Sequence, residues 1–129
     1  MKATELMVGN WVLINGTPRK IQAVDGVDDE IMADDELYTL AEDRYHSEDK
    51  VDGVPITQEI LEKNFEKKTF YGIYDDFFDL DIREYSDGIY IVTYHSCEMN
   101  IPDQTVHVSW VHELQNFMNH CGIEHDIKL

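Results

Sequence analysis

The sequence predicts an α+β chain that is mainly β. A small N-terminal SH3-like barrel comes first, then a short helix, then an antiparallel sheet covered by a C-terminal helix. Three observations predict it. Short β-forming runs between residues 11 and 40 are separated by turn signals about every ten residues. Apolar and polar residues alternate over 78–83 and again over 106–110. Trp110, Val111, Leu114, Phe117, Met118 and Cys121 form one helical stripe, and Gly122 stands where a helix closes in a left-handed cap.

Trp11-Val12-Leu13-Ile14 is the first strand, and Asn15-Gly16 after it is the strongest short hairpin signal. Pro18 fits a strand entry or edge. In residues 19–24, Ile21 and Ala23 share one face of a single strand and Lys20 and Gln22 the other. Asp25-Gly26 turns the chain, and residues 30–33 and 37–40 supply two more strands around Asp34-Asp35-Glu36. Residues 41–53 are polar and read as the connection between a lobe at 1–53 and a second at 54–129, the two sharing a core.

In the second lobe a helix spans 57–64, with Thr57 as N-cap, Glu59 in the first turn, Lys63 in the last, and Asn64 as a left-handed cap. Antiparallel strands occupy 68–101. Phe78, Leu80 and Ile82 face inward against Asp79, Asp81 and Arg83, and residues 89–94 are apolar on both faces, as in a central strand. Val106 and Val108 belong to a last strand leading into a helix over 109–121, for which Ser109 is the better N-cap and Thr105 the earlier option. Burying the helix's apolar side chains contributes on the order of 10 kcal/mol. Ordering its backbone costs as much or more, so this helix forms only against a sheet.

At 129 residues the chain is one domain or two small lobes. Ten Lys and Arg stand against 27 Asp and Glu, a net charge of −17. That balance argues against direct nucleic-acid binding and against anionic membranes. Cys97 and Cys121 lie in apolar surroundings and read as reduced core thiols. No signal peptide and no apolar run of about 20 residues is visible, so the expected location is cytoplasmic.

Three segments together carry a resemblance. They are residues 6–12, opening on Leu6 with Gly9-Asn10; residues 53–64, with Gly53-Val54-Pro55-Ile56-Thr57; and residues 111–117, with Val111-His112-Glu113-Leu114-Gln115. The chain resembles a family of small, uncharacterised proteins of Bacteroides-like gut bacteria and their prophages. The resemblance implies a mobile-element context in the cytoplasm and no mechanism. Asn64 lacks the glycine that usually follows it in that family.

Chemistry is sparse. His95 and Cys97 share a strand face and form a zinc pair only if His107 or Cys121 joins them. The spacings that make a zinc assignment strong are absent, and a half-buried pair beside Tyr94 is favoured. Asp28-Asp29-Glu30 and Asp34-Asp35-Glu36 lack EF-hand spacing and read as solvated turns. Asp75, Asp76, Asp79 and Asp81 read as strand surface rather than a Mg²⁺ site. No nucleophile elbow, phosphate loop or dinucleotide fingerprint occurs, so neither catalytic residue nor cofactor is expected.

His112, Glu113, Gln115, Asn116, Asn119 and His120 form the polar side of the last helix, for which a solvated face is favoured over an interaction site. Tyr90 and Tyr94 are further interaction candidates on the sheet. The leading expectation is a non-enzymatic module that binds a protein partner. An acidic mimic of nucleic acid that blocks a DNA-binding enzyme is the second, and a metal binder using His95 and Cys97 the third.

Overall fold

The computed structural model describes residues 1–40 and 49–129. The fold is α+β and mainly β, with antiparallel sheets. The chain divides into two compact units, Met1–Val54 with Trp110–Asn116, and Pro55–Ser109 with Phe117–Leu129.

In the first unit, a single 3-10 turn, Ala3–Glu5, precedes strand β1, Trp11–Ile14. Asn15 and Gly16 both take positive φ, 52° and 82°, as the primed hairpin turn requires. They return the chain into β2, Thr17–Lys20, an edge strand with Pro18 opposite Leu13. The other neighbour of β1 is β6, Val51–Gly53. The expected connection at 41–53 therefore ends in a strand, and its residues 41–48 lie outside the described residues. A second sheet holds β3, Ala23–Asp25; β4, Glu30–Ala33; and β5, Glu36–Thr39.

The single strand expected over 19–24 is two. At Ile21 the chain still pairs with the first sheet, donating to the Asn10 carbonyl at 2.9 Å and accepting from Gly9 at 2.8 Å. One residue later Gln22 donates to the Met32 carbonyl of β4 at 2.7 Å. The change of sheet breaks the alternation, so Ile21 is buried while Ala23 is exposed. The strands form two open three-stranded sheets, and among the described residues neither closes into a barrel. Their core is Ala3, Leu6, Val12, Ile14, Ile21, Ile31 and Ala33.

Within the acidic run Asp34-Asp35 is a turn, as expected, and Glu36 already opens β5. Asp34 and Asp35 both lie in the left-handed region, which aspartate tolerates better than most side chains. Asp35 N–H donates to Gln22 Oε1 at 2.7 Å, and Asp34 pairs with Arg19.

Helix α2, Val111–His120, starts later than a Ser109 cap would place it. Trp110 is the cap residue: its carbonyl accepts from Leu114 N–H at 3.2 Å, and Glu113 Oε1 accepts from its N–H at 3.1 Å. Trp110 is consequently 40% exposed and not part of the buried stripe, which Val111 and Leu114 carry at 0%. Its indole lies over Gly53, where an added Cβ would sit 2.8 Å from a ring carbon.

In the second unit, α1, Gln58–Asn64, is capped by Thr57, whose Oγ1 accepts from Ile60 N–H at 3.3 Å. Asn64 is not a left-handed cap. It remains helical, the chain leaves extended at Phe65, and the Asn64 amide bonds both the Ile60 carbonyl of its own helix, at 2.8 Å, and the C-terminal segment. Asn64 Nδ2 donates to the Lys128 carbonyl at 2.6 Å, and Asn64 Oδ1 accepts from Lys128 N–H at 2.7 Å. His125 Nε2 donates to the Asn64 carbonyl at 2.7 Å.

The sheet of this unit runs β11-β10-β9-β8-β7. The strands are β7, Glu66–Lys67; β8, Tyr71–Tyr74; β9, Phe78–Ser86; β10, Ile89–Ser96; and β11, Gln104–Val108. As expected, β10 is interior, between β9 and β11. Leu80, Ile82, Val92 and Val108 are buried on one face. The end of α2 meets its expectation: Gly122 has φ 75°, Gly122 N–H donates to Asn119 O at 3.1 Å, and Ile123 N–H reaches back to Met118 O at 2.9 Å. This is a Schellman closure, and its two apolar partners, Met118 and Ile123, are both buried.

Candidate functional site

Unequal strand lengths leave a notch in the five-stranded sheet. Strand β9 has nine residues, and β10 pairs with it from Phe78 to Ser86. On the opposite side β8 pairs only from Asp79 to Ile82. Among the described residues Arg83, Glu84 and Ser86 therefore pair with β10 alone, Tyr85 is the extra residue of a bulge in that pairing, and all four are exposed. An uncovered edge of this kind offers backbone donors and acceptors to another chain.

The β7–β8 hairpin walls the notch at one end. Lys67 stands opposite Tyr71, and Lys68 N–H donates to the Phe70 carbonyl at 3.0 Å, so the turn places Thr69 and Phe70 where β8 begins. Beside it lies a cavity of about 290 Å³ lined by Gln58 and Leu61 of α1, by Lys67, Thr69, Phe70 and Tyr71, by Ile82, Arg83 and Glu84, and by Tyr90. That volume is near the lower end of ligand cavities, about 300 to 1,000 Å³, and suits a side chain better than a cofactor.

The charges of the cavity are unusual for this chain. Lys67 Nζ lies 5.4 Å from the Tyr71 ring centre, and the Arg83 guanidinium 5.7 Å from that of Phe70. Both contacts are within cation–π range. Among the described residues, neither cation is in an ion pair. In a chain of net charge −17, two cations without carboxylate partners beside one cavity are the feature that packing does not explain. Glu84 is the cavity's one carboxylate. Burial first, then Glu84 and Asp87, pushes the Tyr90 phenol above its ordinary value, so it stays a neutral donor.

The residues singled out from the sequence fall elsewhere or in other roles. His112 is buried rather than solvated, and its Nδ1 is the buried side-chain nitrogen or oxygen without a partner among the described residues. Asn116 Oδ1 accepts from Asn10 Nδ2 at 2.8 Å, and Asn116 Nδ2 donates to the Glu5 carbonyl at 3.0 Å. Gln115 Oε1 accepts from Trp11 N–H at 2.9 Å, and its Nε2 donates to Gly9 O at 3.2 Å. The polar face of α2 thus binds the segment before β1, taking up the Glu5 and Gly9 carbonyls and the Trp11 N–H at the start of the strand. Glu113 serves the cap of its own helix.

Tyr90 is buried and lines the cavity, so it offers no open surface. Tyr94 is half-buried, with its ring 5.7 Å from Phe78. His95 is exposed at the end of β10 and bonds Asp103 through Nδ1 at 2.5 Å. Cys97 is exposed, not a core thiol, because β10 has ended and the chain turns outward after Ser96.

Among the described residues, the one group of three metal-capable side chains within 4.8 Å is Asp25, Asp28 and Glu30. It contains none of His95, Cys97, His107 or Cys121. Asp25 Oδ1 already accepts from Val27 and Asp28 N–H at 3.0 and 3.1 Å, as a turn-closing aspartate does. Sequence reasoning passed over the notch. Its one linear signal was Lys67-Lys68, an adjacent basic pair in an acidic chain.

Among the described residues no helix is long and apolar enough to cross a membrane. Comparison with protein-family models, with curated proteins and with solved structures gives no match.

Proposed function

We propose that this protein is a non-enzymatic binding module that takes an extended segment of a protein partner onto the uncovered edge of β9. The observation that carries the reading is the exposed stretch at 83–86, where among the described residues Arg83, Glu84 and Ser86 pair with β10 alone and Tyr85 bulges between them, flanked by a cavity of side-chain size. Backbone pairing along such an edge supplies affinity, and the adjacent pocket supplies selectivity.

Two finer features of the fold go with this reading. One is an SH3-like path for the N-terminal strands, supported by the change of sheet at Ile21–Gln22 and the β1–β6 pairing. The other is the end of the C-terminal helix as a cover for the five-stranded sheet, supported by the burial of Met118 and Ile127 alongside Leu80 and Val92 in the same unit. The mobile-element context rests on the resemblance of the three segments alone.

Selection from a displayed random-peptide library tests the binding reading. Bound peptides are expected to slow backbone hydrogen exchange at 83–86. Peptides that bind yet leave those amides unprotected, or a library that yields no binder, would remove the basis for it.

A further inference from the structure

A strand added beside β9 at 83–86 cannot continue past residue 83. It would occupy the line of β8, and Tyr71, the first residue of β8, already pairs with Ile82. A segment running in the direction of β8, antiparallel to β9, therefore has its last residue opposite Arg83 and its penultimate residue opposite Glu84. The chain must stop or turn sharply there, against the hairpin that carries Lys67 and Phe70. Arg83 on one face of the sheet and Lys67 on the other, neither with a carboxylate partner among the described residues, flank the point where such a chain would end.

We propose that the notch binds the free C-terminus of a basic partner segment, with its terminal carboxylate between Lys67 and Arg83. This rests on the binding reading above and names the chemistry of its ligand. Residues directly opposite on paired strands share a face, so the penultimate side chain stands on the face of Glu84 and Tyr90 and enters the cavity. Tyr71 and Phe70 offer apolar surface to a stem above the buried Leu61 and Ile82, and Glu84 offers a carboxylate to its tip. A lysine fits both. The rest of the segment gains from being basic, because a protein of net charge −17 attracts cationic chains and repels acidic ones. A carboxylate held by a lysine and an arginine is a charge-assisted contact, stronger than a neutral hydrogen bond.

The probe is a pool of acetylated hexapeptides with four randomised positions, lysine next and leucine last, measured by fluorescence anisotropy against the whole protein. Three forms are compared: free acid, C-terminal amide, and free acid with N-methylated backbone. The free acid is expected to bind, and amidation to weaken it about tenfold. Lys67→Met and Arg83→Met are expected to weaken the free acid by a similar factor and to leave the amide unchanged. Both side chains are exposed, so circular dichroism of these variants should match the parent. Equal binding of acid and amide, with loss on N-methylation, overturns the carboxylate assignment and leaves the edge-pairing reading standing. A pool in which no form binds overturns both.

Discussion

His112 and His95 carry the same imidazole in opposite surroundings. His112 is buried with an unpartnered Nδ1, and burial lowers its pKa, outweighing the opposing effect of Glu113 and Glu5. His95 is exposed, and its bond to Asp103 raises its pKa, with the charge of Asp103 adding to the effect. The consequences for stability have opposite signs. Below about pH 6.5 the unfolded chain protonates His112 before the folded one does, so its contribution is present above that pH and fades as pH falls. The His95–Asp103 contribution is fully present below the unfolded pKa and is lost as pH rises through the folded one. NMR titration of the ring protons checks this: His112 is expected to titrate below 6.5 and His95 above it. Asp103→Asn should bring His95 back toward its ordinary value. A common midpoint for the two rings would contradict the assignment. The sequence names both residues but not the burial that separates them, because an imidazole fits a solvated helix face and a packed one equally well.

Helix α2 shows how much of an element can be read in advance. Its period, its buried Val111, Leu114 and Met118, and its glycine closure are all legible, since each depends on residues a few positions apart. Its polar face is not, since the partners of Gln115 and Asn116 lie 104 and 111 residues away, at Trp11 and Glu5. That face bonds the Glu5 and Gly9 carbonyls and the Asn10 amide nitrogen before β1, so Asn116→Ala leaves Asn10 Nδ2 and the Glu5 carbonyl without that partner. The expected cost is about 1–3 kcal/mol, seen as a lower urea midpoint and faster hydrogen exchange in residues 5–11. A replacement that changed neither would show the contacts to be incidental. The same limit hid half the role of Asn64: read as a local cap, it bonds Ile60 within its own helix and Lys128 outside it. A local signal predicts the local partner and is silent on the tertiary one.

At the scale of the whole molecule, the charge of −17 acts on stability as well as on partners. Such an excess of one sign destabilises compact chains through self-repulsion, and salt screens it. The thermal midpoint is expected to rise when sodium chloride is raised from about 20 mM to about 300 mM, where the screening length shortens severalfold. An unchanged midpoint would mean that the carboxylates are already compensated by local contacts. The notch is legible only at this scale. Lys67, Arg83 and Glu84 are unremarkable in the sequence, and their significance comes from β8 ending at Tyr71 while β9 runs on to Ser86.

The sequence by itself determined the class of the fold, most turns, both helices and the acidic character of the surface. These follow from period, turn chemistry and composition, which act over a few residues or over none in particular. Only the tertiary structure decided where the chain changes sheets, that among the described residues the N-terminal strands form two open sheets, and which polar side chains face protein rather than water. The uncovered edge of β9 belongs to the same group. Strand pairing and burial depend on residues brought together across the chain, and no local pattern encodes the length of a neighbouring strand.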